Sequence, residues 1–221
     1  ALAAFVLLGA SWSVALAREA CQETGRGLVA GGLAPLEDCY HPERVPPLGV
    51  LQREHAVHAA HLAAAGCDLL VVETMGTSLE AQAAATAALG TGLPVLASFI
   101  LDPGGHGDLL SGEPLEAALA ALRGLTVGGA RVAGFLVNCT PRQVALEALR
   151  RMQDAHDARP LGAYANLGEP DARRGWKDEP GGTPAAYAAW ALECRALGAR
   201  LVGGCCGTTP AHLAAVAAAV R

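Results

Sequence analysis

The stretch of residues 69–101, LLVVETMGTSLEAQAAATAALGTGLPVLASFIL, contains one complete repeat of the pattern that runs through the chain. It begins with an apolar run at 69–73, continues with an alanine-rich segment of helical period, and ends with a second apolar run at 94–101. Thr77 and Glu80 precede the helical segment at the spacing of a capping box, which marks a helix N-terminus. The stretch therefore predicts a strand, a helix and a strand, the order of a parallel β/α unit.

The same alternation continues on both sides of this stretch. Apolar runs bounded by Gly and Pro predict strands at 28–31, 69–73, 94–101, 132–138, 161–165 and 201–204. Segments of helical period predict helices near 13–23, 51–65, 79–89, 115–125, 142–158, 185–197 and 211–220. We predict an α/β fold, either a (β/α)₈ barrel or an open doubly wound sheet. A closed barrel has eight strands, so a barrel here would lack its first one or two β/α units.

The composition fits one domain, which we predict to span residues 1–221. The chain has 52% hydrophobic and 17% charged residues, too apolar for a disordered protein. Its net charge of -5, with no cluster of basic residues, argues against nucleic acid as a partner. The only lysine, Lys177, lies in a polar, turn-rich stretch, which argues against Schiff-base chemistry, and no Gly-Lys-Ser/Thr motif of a P-loop is present.

The first 17 residues carry no charge and end in Ala-Leu-Ala, a weak likeness to a signal-peptide cleavage site. No basic residue precedes the apolar part, and the segment is short for a membrane span. Because it runs directly into Arg-Glu-Ala-Cys-Gln-Glu, which continues a helical pattern, we predict a buried helix rather than a targeting segment or a membrane anchor.

Seven cysteines are scattered through the chain, an odd count that does not suit a disulfide scaffold. We therefore predict that the protein resides in a reducing compartment, the cytoplasm, and that its cysteines serve thiol or metal chemistry.

Chemically reactive residues stand at the ends of three predicted strands. Glu73 ends the strand of the first motif, Cys139 follows Asn138 at the end of another, and Cys205 and Cys206 follow the last. The carboxyl ends of parallel strands share one rim, where active sites of β/α folds are built, so we expect these residues to converge.

Three thiolates suit zinc, because the ion prefers tetrahedral sulfur ligands and a fourth position stays open in catalytic sites. The predicted helix N-termini after Thr140-Pro141 and Thr209-Pro210, with a hydroxyl at the N-cap and Pro at the first helical position, also favour thiolates. Two other interpretations remain open at this point. Any single cysteine is commonly an inert core residue, and adjacent Cys205 and Cys206 suit a redox pair.

Five segments of the chain resemble motifs of the zinc-dependent homocysteine S-methyltransferase family and follow the same order along the chain. They are DLLVVETM (68–75), LSGEP (110–114), VNCTP (137–141), YANLGE (164–169) and GGCCGTTPAHL (203–213). The resemblance runs from about residue 14 to residue 221, and the double-cysteine motif is its most specific part.

The resemblance implies a (β/α)₈ barrel that methylates homocysteine to methionine. It implies that zinc is bound by Cys139, Cys205 and Cys206, that Glu73 contacts the homocysteine amino group and that Asn138 lines the same site. The expected partners are homocysteine and a small methyl donor, with no nucleic acid or membrane, and an oligomer is possible.

In one respect the chain departs from the family: no Asp-Gly-Gly strand, whose acid also holds homocysteine, precedes Leu28. The alternative function is therefore a catalytically incomplete zinc-binding remnant or subunit of this fold. The donor alternatives are S-methylmethionine, which we prefer, betaine and a methylated folate. A thiol-redox protein is a third hypothesis.

A few other residues carry expectations of their own. We predict that His55, His58 and His61 form a solvated or interfacial helix face, and that 102–108 is a connecting loop. Glu169 is a candidate to reach the site, and Trp176 is a candidate to cover it. The remaining cysteines are predicted to be structural: Cys21, Cys39, Cys67 and Cys194.

Overall fold

A computed structural model describes residues 2–104, 107–155, 158–171, 175–177 and 180–221. The helices are α1 (Leu2–Thr24), α2 (Leu48–Ala64), α3 (Ser78–Leu89), α4 (Leu115–Gly124), α5 (Arg142–Asp154), α6 (Pro184–Ala196) and α7 (Pro210–Ala219). The strands are β1 (Ala30–Leu33), β2 (Leu69–Met75), β3 (Val95–Phe99), β4 (Gly134–Pro141), β5 (Leu161–Asn166), β6 (Glu169–Asp171), β7 (Gly175–Lys177) and β8 (Ala199–Gly204). The main sheet has the order β1-β2-β3-β4-β5-β8, while β6 and β7 form an antiparallel pair.

The first of two compact units comprises Ala1–Ala97 and Ala118–Ala133. Its strands β1 and β2 run parallel, with Ala30 opposite Leu69. Its buried core comes from both strands and from the helices packed on them, because apolar side chains on parallel strands are covered by helices. Fully buried members of this core include Leu33, Leu51, Leu70, Val72, Met75 and Ala84.

The second unit comprises Ser98–Ala117 and Gly134–Arg221. Its strands β4, β5 and β8 are neighbours in this order, and both pairs are parallel. Helices α5, α6 and α7 follow these strands, and α6 and α7 pack on one another. The largest fully buried side chains of this unit include Phe99, Phe135 and Tyr187.

The predicted α/β fold of parallel β/α units is confirmed, and all six predicted strands occur in the main sheet. The short hairpin of β6 and β7 was not predicted, because each strand has only three residues and no apolar alternation.

Helix α1 is longer than predicted, and most of its described side chains in residues 10–17 are exposed. Among residues 10–17 only Val14 is buried, while Trp12 and Leu16 are 71% and 61% exposed. The expectation of a buried helix is thus wrong for these residues, since α1 packs one narrow face against its unit. Within the described residues, no helix combines the length and apolar character that a membrane span requires.

Helix N-termini follow the sequence signals at two places. The Thr77 hydroxyl accepts a hydrogen bond from the Glu80 N–H at the start of α3. At the start of α7, the Thr209 N–H donates to Nδ1 of His212, and Pro210 occupies the first helical position. The predicted N-cap at Thr140 is wrong: α5 begins after Pro141, which makes no side-chain cap.

Candidate metal centre

Cys139 lies near the end of β4, where the strand is irregular. The register with β5 shifts between Asn138 and Pro141, and Cys139 adopts a positive φ of 50°, which non-glycine residues rarely do. The buried Thr140 hydroxyl donates to the Asn138 carbonyl at 2.9 Å and accepts from the Leu101 N–H at 3.1 Å. These two bonds explain why Thr140 does not cap α5: its hydroxyl shapes the backbone around Cys139 instead.

Cys205 and Cys206 follow β8 in a loop that the neighbouring backbone holds on two sides. The Cys205 N–H donates to the Ala165 carbonyl at 3.1 Å, and the Leu167 N–H donates to the Cys206 carbonyl at 2.8 Å. Gly207 has a positive φ of 79°, and a Cβ there would overlap the Leu167 carbonyl. Glycine is required at this turn because only it combines that φ with so close an approach.

The three cysteines that the sequence singled out lie together in the second unit. Their sulfur atoms all lie within 4.8 Å of one another, and the Cys139 and Cys206 sulfurs are 3.9 Å apart. Cys139 and Cys205 are partly buried and Cys206 is exposed, so the cluster lies at the surface of the unit.

The three sulfurs shift one another's pKa. A hydrogen bond donated by the Cys139 thiol lowers the pKa of Cys205 to about 6, against the effect of burial. The same bond, together with burial, raises the pKa of Cys139, and burial and the charge of Cys205 raise the pKa of Cys206. One of the three thiols therefore ionises readily, while the other two resist ionisation. A bound cation would allow all three to ionise.

Asn138 is buried next to this cluster and is held by a residue that sequence reasoning missed. The Ser98 hydroxyl, at the end of β3, donates a hydrogen bond of 2.6 Å to Oδ1 of Asn138, and both residues are at most 1% exposed. A single polar residue inside the apolar run VLASFI was the available signal, because buried hydroxyls need partners.

Glu73 lies at the end of β2 in the first unit, as predicted. Thr74, which follows it, is buried and has a positive φ of 62°, an unusual backbone for a β-branched residue. The Glu73 carboxylate lies against Gly32, where a Cβ would overlap Oε1. Strained backbone of this kind concentrates at functional sites, which supports a role for Glu73.

The family model described as homocysteine S-methyltransferase matches residues 10–220, almost the whole chain. The chain belongs to this family.

Known members of the homocysteine S-methyltransferase family match the chain over much of its length. The Escherichia coli homocysteine S-methyltransferase is 33% identical, with 93% of this chain and 69% of that protein covered. Homocysteine S-methyltransferase 4 of maize is 32% identical over 77% of this chain, which spans 49% of the maize protein. The crystal structure of the metallated form of E. coli MmuM has a TM-score of 0.76 at 28% identity, covering 95% of this chain and 69% of that one.

Other candidate residues of this family member are placed as follows. Glu169 is exposed in the β6–β7 hairpin, with its carboxylate 2.7 Å from Nζ of Lys177. The Trp176 side chain and part of the 102–108 loop (Gly105 and His106) lie outside the described residues. Within the described residues, the cysteines predicted to be structural lie outside the sulfur cluster.

The prediction of a solvated or interfacial histidine face on α2 is wrong for His55. This residue is fully buried, and its Nε2 lies 3.1 Å from Oε1 of Glu80. The same oxygen accepts the Leu36 N–H at 2.8 Å. Glu80 therefore joins α2, α3 and the segment after β1, a role that its place in a capping box did not suggest.

Proposed function

We propose that this chain transfers a methyl group from a small onium donor to the thiol sulfur of homocysteine, giving methionine, and that Cys139, Cys205 and Cys206 bind a zinc ion for this reaction. The observation that carries the proposal is the convergence of the three sulfur atoms within 4.8 Å. Membership of the homocysteine S-methyltransferase family supports it.

The sulfur geometry fits a tetrahedral zinc ion. With Zn–S bonds of about 2.3 Å, two thiolates in a tetrahedral site lie about 3.8 Å apart. The Cys139 and Cys206 sulfurs are 3.9 Å apart, and all seven cysteines are free thiols. Three protein ligands leave a fourth position for a substrate, as catalytic zinc sites do.

A bound zinc ion would supply the positive charge that keeps a coordinating thiol deprotonated at neutral pH. In the reaction, the homocysteine sulfur forms the new S–C bond. The bond between the methyl group and the donor breaks, and its electron pair neutralises the donor cation. Because the donor loses its charge on transfer, the chain must mainly align the two reactants and exclude water.

Two side chains are proposed to hold homocysteine. The Glu73 carboxylate suits the substrate ammonium group, since opposite charges attract strongly in a partly dry site. The Asn138 amide, fixed by Ser98, would line the substrate site beside the three cysteines that are proposed to bind zinc. Neither side chain changes its protonation state in this proposal; both orient the substrate.

Among donors, we propose S-methylmethionine, with betaine as the alternative. The proposed setting is the cytoplasm, because reducing conditions keep the seven cysteines as thiols. The whole chain is proposed to act as one homocysteine-binding barrel domain.

The chain spans about half to about two thirds of the length of the relatives compared above. The alternative is a zinc-binding chain that is catalytically incomplete by itself.

A methionine-formation assay tests the proposal. The chain, loaded with zinc, is incubated with homocysteine and either S-methylmethionine or betaine. We expect methionine from wild type and from Cys194→Ala, which removes a buried cysteine outside the cluster, and none from Cys139→Ala. Zinc bound by wild type without methionine from either donor would contradict the enzyme and support the incomplete chain.

A further inference from the structure

Tyr187 in α6 places its hydroxyl between two strands of the second unit. The hydroxyl lies 2.8 Å from the Ala165 carbonyl in β5 and 2.9 Å from the Gly203 carbonyl in β8. A phenol has one proton, so this proton is shared between the two carbonyls. Burial raises the pKa of Tyr187, which keeps the hydroxyl a donor.

Both carbonyl groups belong to residues next to the loop that contains Cys205 and Cys206, which we call the cysteine loop. Ala165 also accepts the N–H of Cys205 at 3.1 Å, and Gly203 lies two residues before Cys205. The Tyr187 hydroxyl therefore ties β5 to β8 at the point where the chain leaves the sheet to place Cys205 and Cys206.

The exit of the same loop is tied to Tyr187 through His212. The two rings meet edge to face, with centroids 5.9 Å apart and planes at 83°. Nδ1 of His212 accepts the N–H of Thr209, which follows the cysteine loop, and Nε2 donates to the Gly182 carbonyl at 3.0 Å. Tyr187 and His212 together thus hold both ends of the segment 204–209.

We propose that Tyr187 is a positioning residue of the metal centre, which fixes the separation of Cys205 and Cys206 from Cys139 through the Ala165 and Gly203 carbonyls. This inference rests on the proposed zinc site. An ordinary core tyrosine also satisfies its hydroxyl on carbonyls, so the distinguishing property is an effect on the metal rather than on folding alone.

Tyr187→Phe removes the hydroxyl and keeps the ring. Hydrogen-bond partners outside the ligand set change metal affinity by about 10–100-fold when removed, and we expect a loss of about tenfold in Zn²⁺ affinity for this variant. With Co²⁺ in place of Zn²⁺, we expect weaker thiolate-to-cobalt charge-transfer absorption and shifted ligand-field bands, because the sulfur geometry relaxes.

Cys194→Ala is the control. Cys194 lies on the same helix, is fully buried, and lies outside the sulfur cluster. It should lower stability while leaving Zn²⁺ affinity and the Co²⁺ spectrum as in wild type.

A second variant keeps the proposal testable if Tyr187→Phe folds poorly. His212→Gln retains a side-chain acceptor for the Thr209 N–H and loses the ring contact with Tyr187, so we expect a smaller loss of Zn²⁺ affinity than in Tyr187→Phe. Affinities within twofold of wild type for both variants, or an equal loss in Cys194→Ala, would overturn the role of Tyr187. Failure of the zinc site itself would show in wild type, which would then bind neither metal.

Discussion

The Ser98 hydroxyl and the Asn138 amide oxygen form a fully buried hydrogen bond of 2.6 Å next to the cysteine cluster. The bond fixes the orientation of the Asn138 amide, because only its oxygen, Oδ1, can accept the hydrogen bond from Ser98. Asn138 also begins the irregular part of β4 that carries Cys139. Ser98 is therefore expected to influence substrate binding as well as stability.

We expect Ser98→Ala to lower the free energy of unfolding by about 1–3 kcal/mol, because a buried acceptor loses this donor. The KM for homocysteine should rise while zinc content stays unchanged. Denaturant unfolding and steady-state kinetics measure the two effects. Ser111→Ala, which removes an exposed hydroxyl bonded to Glu113, should change neither; an unchanged KM in Ser98→Ala would contradict the role given to Asn138.

Gly32→Ala tests the position of Glu73. The new methyl group would overlap Oε1 of Glu73, so the carboxylate must move. We expect the KM for homocysteine to rise by about tenfold, which corresponds to 1.4 kcal/mol of binding energy, with zinc content unchanged. Gly49→Ala is the control, since nothing lies near its Cβ position. Equal KM values in the two variants would show that Glu73 does not hold the substrate.

Glu80→Ala tests the buried contact with His55. The truncation leaves the buried His55 Nε2 and the partly buried Leu36 N–H without their shared acceptor. We expect the free energy of unfolding to fall by about 2–5 kcal/mol in urea titrations. The exposed Glu54→Ala should change it by less than about 0.5 kcal/mol. A loss below 1 kcal/mol for Glu80→Ala would mean that the contact contributes little.

Arg151 provides a pH-dependent contribution to stability. Its guanidinium binds both carboxylate oxygens of Glu116, at 2.7 and 2.6 Å, and Oδ1 of Asp108 at 2.8 Å. The hydrogen bonds from Arg151 lower the pKa of Glu116 below its ordinary value of 4.5. A carboxyl whose folded pKa is lowered stabilises the fold above its unfolded pKa, and this stability is lost as pH falls through the folded pKa.

Arg151→Met should therefore destabilise the protein at neutral pH, and its difference from wild type should shrink below pH 4.5, the ordinary Glu value. Unfolding titrations across this pH range measure the difference. Arg150→Met removes the exposed pair with Glu147 and should show a small difference at every pH. A pH-independent difference for Arg151→Met would contradict the assignment to Glu116.

Much of the fold could be predicted because its signals are local. Each strand of the main sheet is an apolar run, and some of the helices that follow have a start signal, such as Thr77 at α3. The convergence of Cys139, Cys205 and Cys206 followed from one topological rule, that the carboxyl ends of parallel strands share a rim.

Contacts between residues far apart in sequence could not be predicted. His55 looked solvated because its partner Glu80 is 25 residues away. Thr140 resembled an N-cap because its bond to Leu101, 39 residues earlier, leaves no trace in the local pattern. In both cases a buried polar group forms a hydrogen bond with a residue far away in the sequence, because a buried polar group without a partner is costly.

The zinc content of the reduced chain, measured by elemental analysis, tests the central claim most directly. We expect about one zinc per chain for wild type and for Cys194→Ala, and almost none for Cys139→Ala, because two thiolates alone form an incomplete site. Added homocysteine should contribute one more sulfur to the zinc X-ray absorption spectrum. A folded, reduced wild-type chain that binds no zinc would contradict the account.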